Sequence, residues 1–422
     1  MPRQSLLIVA AEIGEGAIEP LKALLETMTN APGQADPANT IVPFGQIEGL
    51  HVARFVVLED PSLPDRAGIT DLPATEPTRL ALMADGDGSA EEILERLVAK
   101  AAPGLARIFA HCDAAVTPGN IAEWMRRSRI PAAATYVNGP GRGARQVREE
   151  EALHDALLAT CLAHPGKAPR ELWPLLREAG SGVPLTPLRG PTLGERLADF
   201  ADLLSFPLLA ILLSPLLLLA APVLIVMLRR RETSDPVIAP RPLRARNAML
   251  SAIEDHDVAN QYSAIGSLKP GLFRRWLAVA ILWIIGWGSR HLFRSGRLGR
   301  VNTIHFASWT FFDDKRRVFF ASNYDGSREA YNDDFINKVA FGLNLSFSNG
   351  LGYPRTDWLI VGGARHEQDF KWYLFHHQIP TQVWYNAFRG LTTYDMARNA
   401  RLRAAFERVP TGAALTRFLA EI

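Results

Sequence analysis

The residues whose types and spacing could do chemistry are clustered in the second half of the chain. His305 stands in the strand-like run Ile304-His305-Phe306-Ala307-Ser308-Trp309, where simple alternation puts His305, Ala307 and Trp309 on one face. Downstream, Ser322-Asn323-Tyr324-Asp325-Gly326-Ser327 reads as the end of a strand, a turn and the start of a helix. A carboxyl there can serve as a general acid or base, with Asn323 beside it. It can equally cap the helix that follows, while Gly326 takes an unusual backbone angle. The strand histidine can likewise ligate a metal or be satisfied by a neighbouring carbonyl. Arg355, Arg365, His366, His376, His377 and Tyr385 complete the polar set of this half.

Other chemistries are excluded. No HExxH, Walker A loop, GxSxG elbow or strand-linked GxGxxG is present. The two cysteines, Cys112 and Cys161, cannot build a disulfide framework or a cysteine-rich zinc site, and their scarcity fits a reducing compartment. The start of the chain lacks a signal-peptide pattern. With 422 residues, 48% of them hydrophobic, the chain can form two or three packed domains. A formal net charge of +2 argues against a general nucleic-acid binder.

The elements that must position these residues emerge from an internal repeat. Gly49-Leu50-His51-Val52-Ala53-Arg54-Phe55 matches Thr303-Ile304-His305-Phe306-Ala307-Ser308-Trp309. Asp87-Gly88-Ser89 matches Asp325-Gly326-Ser327, and Ile130-Pro131 precedes Tyr136 by the offset that separates Ile379-Pro380 from Tyr385. We therefore read two copies of one module, 1–165 and 255–422, joined by a linker, 166–254. In the first copy, strands at Ser5–Ile13, His51, Leu80 and Leu105 with helices at Ala17–Thr29 and Ser89 give β-α-β-β-α-β, the ferredoxin-like order. The expected fold class is α+β, two such modules packed as a pseudo-dimer.

Two apolar runs stand out. Phe206–Leu228 carries no charge and as one helix would span ~35 Å, enough for a bilayer core. Pro207, Pro215 and Pro222 interrupt it, which favours a broken or re-entrant segment. Trp276–Trp287, within an apolar helix expected over 272–293, takes the place of the second copy's first helix. From Arg229 to Arg300 there are 13 Lys and Arg against 5 Asp and Glu, a net +8, beside the most apolar stretch. Such a neighbourhood suits an anionic membrane surface. The expectation is a monotopic protein on the cytoplasmic face of the inner membrane, with the two-span hairpin as the alternative.

At the repeat and its Asp-Gly turn the chain resembles the dimeric α/β-barrel superfamily and, within it, the dye-decolourising peroxidases. Their Gly-x-x-Asp-Gly motif is matched by Asn323-Tyr324-Asp325-Gly326, with Ser322 standing in place of the leading glycine. The stretches 262–271 and 304–309 are also similar to those of bacterial proteins of this barrel type. The resemblance implies haem, held by His305, His366 or His376, with Asp325 as the distal acid, Asn323 beside it, and Arg365 and Tyr385 near the haem. The expected activity is then a peroxidase-like or oxygenase-like oxidation of an apolar, membrane-derived small molecule. Membrane lipid is the expected partner, nucleic acid is not, and homo-oligomerisation is left open. The alternative from another class is a haem-free lipid-binding or scaffold protein of the membrane surface. A membrane assembly factor is a third.

Overall fold

The structure, a computed structural model of the whole chain, describes every residue except 1–3, 70–71, 189, 239–240, 255, 294–297 and 299–300. Three arginines of the basic block, Arg294, Arg297 and Arg300, thus lie outside the described residues. The first copy runs β1 (Gln4–Glu12), α1 (Ile18–Glu26), β2 (Thr29–Ala31), β3 (Gln34–Ala35), β4 (Leu50–Leu58), β5 (Arg79–Asp87), α2 (Ala90–Phe109), α3 (Ile121–Arg127), β6 (Ala134–Val137) and α4 (Ala144–Ala163). Three helices follow: α5 (Pro169–Ser181), α6 (Leu193–Ser234) and α7 (Arg244–Ser251). The second copy runs β7 (Ala259–Ser267), α8 (Leu272–His291), β8 (Ile304–Phe312), β9 (Arg317–Asp325), α9 (Arg328–Phe347), β10 (Thr356–Asp357), β11 (Val361–Gly362), α10 (Glu367–His377), β12 (Val383–Asn386), α11 (Thr393–Glu407) and α12 (Ala413–Leu419).

The fold is mixed α+β. Of the two large sheets, one has the order β1-β5-β4-β12-β3-β2 and the other β6-β8-β9-β7, while β10 and β11 pair by themselves. Each copy therefore lends its last strand to the other's sheet. The exchange is reciprocal to the residue: Tyr385 lies opposite Ala53, and Tyr136 opposite Ala307. The sheets face each other across an apolar layer in which Ile8, Val56, Leu58 and Met83 of one meet Ile265, Phe312, Phe319 and Ala321 of the other. The alternate residues Leu7, Val9, Phe55 and Val57 point the opposite way, into the core beneath α1, α2 and α3. Two-residue periodicity thus buries both faces of these strands, which accounts for their near-continuous apolar sequence.

Helix starts are set locally. Ser89 and Glu92 form a capping box at α2, and the Ser327 hydroxyl accepts from Ala330 N at α9. Both helices break at the same repeat position, Ala101 (φ −138°, ψ 19°) and Val339 (φ −142°, ψ 32°). Only α2 has a nearby proline, Pro103, so the kink belongs to the repeated fold and the proline is accommodated by it.

Three expectations need correction. The strand placed at Leu105 is helical, because Leu105 lies on the buried face of α2. What occupies the fourth strand's position beside the first strand is a single bridge in each copy, Val9 with Arg129 and Ala264 with Gln378, before the chain crosses to the other sheet. The alternation of His305 with Ala307 and Trp309 also fails. Pairing shifts between Ile304 and Phe306 leave His305 as the extra residue of a bulge, and Ile304 joins Ala307 and Trp309 in the core. His51 occupies the equivalent bulge in β4.

The third correction concerns 206–228. It is not broken: α6 is one helix of 42 residues that contains all three prolines. By length and composition, α6 and α8 could each cross a membrane; none of the most apolar window of α6 is buried, against 39% for α8. α6 is tied to α8 at Asp202, its tenth residue, and at its C-cap, Asp235. The Asp202 carbonyl accepts from Trp287 Nε1 (3.2 Å), its carboxylate accepts from Arg290 Nε (2.9 Å), and Asp235 accepts from Arg274 Nε (2.8 Å). A straight helix would hold Asp202 and Asp235 about 50 Å apart, whereas Trp287 and Arg274 are about 20 Å apart along α8. Two hydrogen-bonded ties, each on the order of 11 Å between Cα atoms, cannot close that gap. α6 therefore bows outward between these two anchors. At 100° per residue the three prolines fall within an arc of roughly 80°, so their bends add in one direction.

Candidate functional site

His305 and Asp325 meet. The bulge turns His305 so that its Nε2 lies 2.5 Å from Asp325 Oδ1, and a carboxylate can only accept, so the imidazole donates. The other carboxylate oxygen takes the backbone N–H of Thr393 (2.9 Å), the first residue of α11. The backbone carbonyl of His305 accepts from Asn138 N (2.9 Å), just past the incoming β6. The first copy repeats every part. His51 Nε2 lies 2.8 Å from Asp87 Oδ1, Asp87 Oδ2 takes the N–H of Ala144 at the start of α4 (2.9 Å), and the His51 carbonyl accepts from Ala387 N (2.9 Å). In both copies the pair fastens a strand end to a helix N-terminus, where negative charge is favoured. The arrangement is an architectural clamp that ties the exchanged strand and the closing helix to the sheet.

Asn323 lies elsewhere, in a polar cluster between the sheets. Arg54, wholly buried, donates to the carbonyls of Tyr262 (2.8 Å) and Ser322 (2.9 Å), to Ser263 Oγ (3.1 Å) and to Asn323 Oδ1 (2.5 Å). Trp384 Nε1, on the exchanged β12, donates to the same Asn323 oxygen (2.8 Å). The repeat places Ser308 opposite Arg54 and Asp85 opposite Asn323, so the guanidinium is a feature of one copy only. Reading the copies for sameness missed it; their difference at these aligned positions was the available signal.

Burial raises the Asp85 carboxyl to about 7, opposed by the Arg54 charge. A carboxyl that holds its proton more tightly when folded stabilises the protein most at low pH, and that contribution is lost as pH climbs from about 4 to about 7. Asp85→Asn removes this decline. Between pH 4.5 and pH 8 the variant is expected to lose about 2 kcal/mol less stability than the wild type, about half the full value of such a shift, since Asp85 keeps part of its surface in solvent. Urea unfolding at the two pH values measures it, and parallel curves would refute it.

The remaining candidates do not converge. His376 Nε2 pairs with Asp65 of the first copy (2.8 Å), Tyr385 stacks on Phe44 in the first copy's core (5.3 Å between centroids), and Arg365 and His366 are exposed. Among the described residues no hydrogen bond, ion pair or ring contact joins any of them to His305 or Asp325, and no group of three or more His, Cys, Asp or Glu is placed to hold a metal. Two cavities, of about 220 and 40 Å³, are bordered by neither His305 nor Asp325. The smaller, lined by Tyr262, Phe320 and His377, has room for little more than a water. His305 and Asp325 do not fit the two faces of a haem, because they are hydrogen-bonded to each other and the acid also holds a helix end; His376, another candidate ligand, is paired with Asp65 instead, and His366 is exposed.

Sequence reasoning also missed Lys269, Arg274 and Asp235, which border the larger cavity where α6 rejoins the body. Only the clustering of charges beside the apolar run hinted at them. Compared with known proteins, the chain matches no family model, no curated protein and no solved structure.

Proposed function

We propose that the protein is a haem-free, monotopic protein of the membrane surface, a lipid-binding scaffold in which two ferredoxin-like copies form a pseudo-dimeric α/β barrel. The observation that carries this reading is α6: a long apolar helix, unburied along its most hydrophobic stretch, anchored at Asp202 and Asp235 to one body. Because the copies exchange strands, they share one side of any bilayer, and α6 enters it as a bowed segment rather than dividing them. Trp276 and Trp283 of α8 are exposed near the same surface, as residues of a membrane interface are. The barrel reading is supported by the reciprocal strand exchange and by the β-α-β-β-α order of the second copy, which the first copy repeats with the short β2 and β3 inserted after α1. The arginines in the last turns of α6, Arg229 to Arg231, favour the cytoplasmic face by the positive-inside tendency.

Leu212 and Leu219 are 76% and 80% exposed and touch little of the body. Changing both to glutamate is expected to cost membrane insertion about 5 kcal/mol and leave the fold intact. In a vesicle flotation assay the wild type should float and the double variant should stay with the soluble fraction, with an unchanged unfolding midpoint. Equal flotation of the two would refute the reading.

A further inference from the structure

The cavity of about 220 Å³ lies at the foot of α6, between the segment after that helix, the β7–α8 junction, the 352–356 loop and the start of α10. Its charges are not all matched. Arg274, fully buried, gives Nε and one terminal nitrogen to Asp235 Oδ2 (2.8 and 2.5 Å). Asp235 Oδ1 is buried and has no hydrogen-bond partner among the described residues. Lys269 is 6% exposed, makes no ion pair among the described residues, and donates only to the Ser348 carbonyl (2.9 Å). Two of its three hydrogens remain. A buried ammonium that makes no direct ion pair with the nearby carboxylates, Asp235 and Glu232, is costly. Burial and the Arg274 charge pull Lys269 down to about 8, against the opposing pull of Asp235 and Glu232. Arg355 adds an exposed cation at the mouth, and His366, at the N-cap of α10, brings a helix N-terminus to the wall; Glu232, which accepts from Trp358 N and Leu359 N, and Asp369, in the first turn of α10, are the other carboxylates of the lining.

We infer that this cavity binds a phosphate-bearing headgroup, its anionic oxygens on Lys269 and its hydroxyl or ammonium donor on Asp235 Oδ1. The inference rests on the membrane-surface reading and names the part of the lipid that is gripped. The volume is below the ~300 Å³ at which sites for drug-sized ligands begin, so a headgroup enters and acyl chains stay outside, along the apolar α6. The ligand supplies what the cavity lacks: acceptors for the two remaining lysine hydrogens and a donor for the orphaned carboxylate oxygen.

The test uses the full chain in dodecyl maltoside micelles, titrated calorimetrically with glycerophosphoethanolamine and, separately, with inorganic phosphate. Wild type should bind the glycerophosphodiester, Lys269→Met about tenfold more weakly, and binding should fall as pH rises above about 8. Arg355→Ala, at an exposed position that carries no fold contact of note, is the second variant and should weaken binding several-fold should Lys269→Met fail to fold. Tighter binding of the glycerophosphodiester than of inorganic phosphate supports a lipid source. Equal or tighter binding of inorganic phosphate overturns that source and assigns the site to free phosphate. No binding of either probe by folded wild type, or equal binding by both variants, overturns the site itself. Vesicle flotation run alongside separates the two readings: flotation without headgroup binding removes the pocket alone, and failure of the wild type to float removes the membrane reading.

Discussion

Arg54→Met is expected to destabilise the protein by about 3–5 kcal/mol, the largest loss from any single substitution considered. The side chain is wholly buried between the sheets and its donors serve two backbone carbonyls and two side-chain oxygens of the second copy. Methionine fills similar space but leaves these acceptors unsatisfied, and each buried orphan costs about 1–3 kcal/mol. It also strips Asp85 of its counter-charge. Asp85→Asn in the Arg54→Met background should therefore recover part of the loss, a coupling that a double-mutant cycle reads directly. Ser308→Ala, at the matching position of the other copy, should cost far less. Urea unfolding of the four proteins decides it: a loss under about 1 kcal/mol for Arg54→Met would mean that the two copies do not depend on this contact.

Asp325→Ala and Asp87→Ala should each cost about 2–4 kcal/mol, and by similar amounts. Each removes the acceptor for a buried histidine and the cap on a helix N-terminus. Equality is the informative outcome, because an acid serving chemistry in one copy has no reason to match its counterpart in stability. If Asp325→Ala kept full stability while Asp87→Ala lost it, the clamp reading would fail for the second copy and a chemical role for Asp325 would return. Thermal unfolding of both variants in the same detergent makes the comparison.

Much of the architecture was legible in the chain. The paired His, Asp-Gly-Ser and Ile-Pro landmarks are local, and repeated local sequence dictates repeated local structure, so the two copies and their β-α-β-β-α order could be read without coordinates. The apolar run 206–228 was equally plain. Its continuity was not, because prolines predict bends but not whether a helix survives them; anchoring at Asp202 and Asp235 supplies a helix that curves instead of breaking. Leu105 was misread because an apolar stretch after a proline fits a strand as readily as a kinked helix.

The site was less legible than the fold. Sequence marked His305 and Asp325 by type and spacing, and those marks were sound as far as proximity goes. Which of two roles they hold depended on what the free oxygen of Asp325 meets, and that partner, Thr393, comes from a helix 68 residues away. The same holds for Arg54, whose acceptors lie more than 200 residues on, and for Lys269, whose burial with a backbone carbonyl as its hydrogen-bond acceptor only the assembled cavity reveals. By itself the sequence determined the repeated elements, their caps and the apolar helix, because each arises from interactions within a few residues. The tertiary structure alone decided the exchange of strands, the bulges that turn both histidines toward their aspartates, and the charges left unmatched at the foot of α6. Those depend on hydrogen bonds between residues distant in the chain, for which residue type and local spacing carry no address.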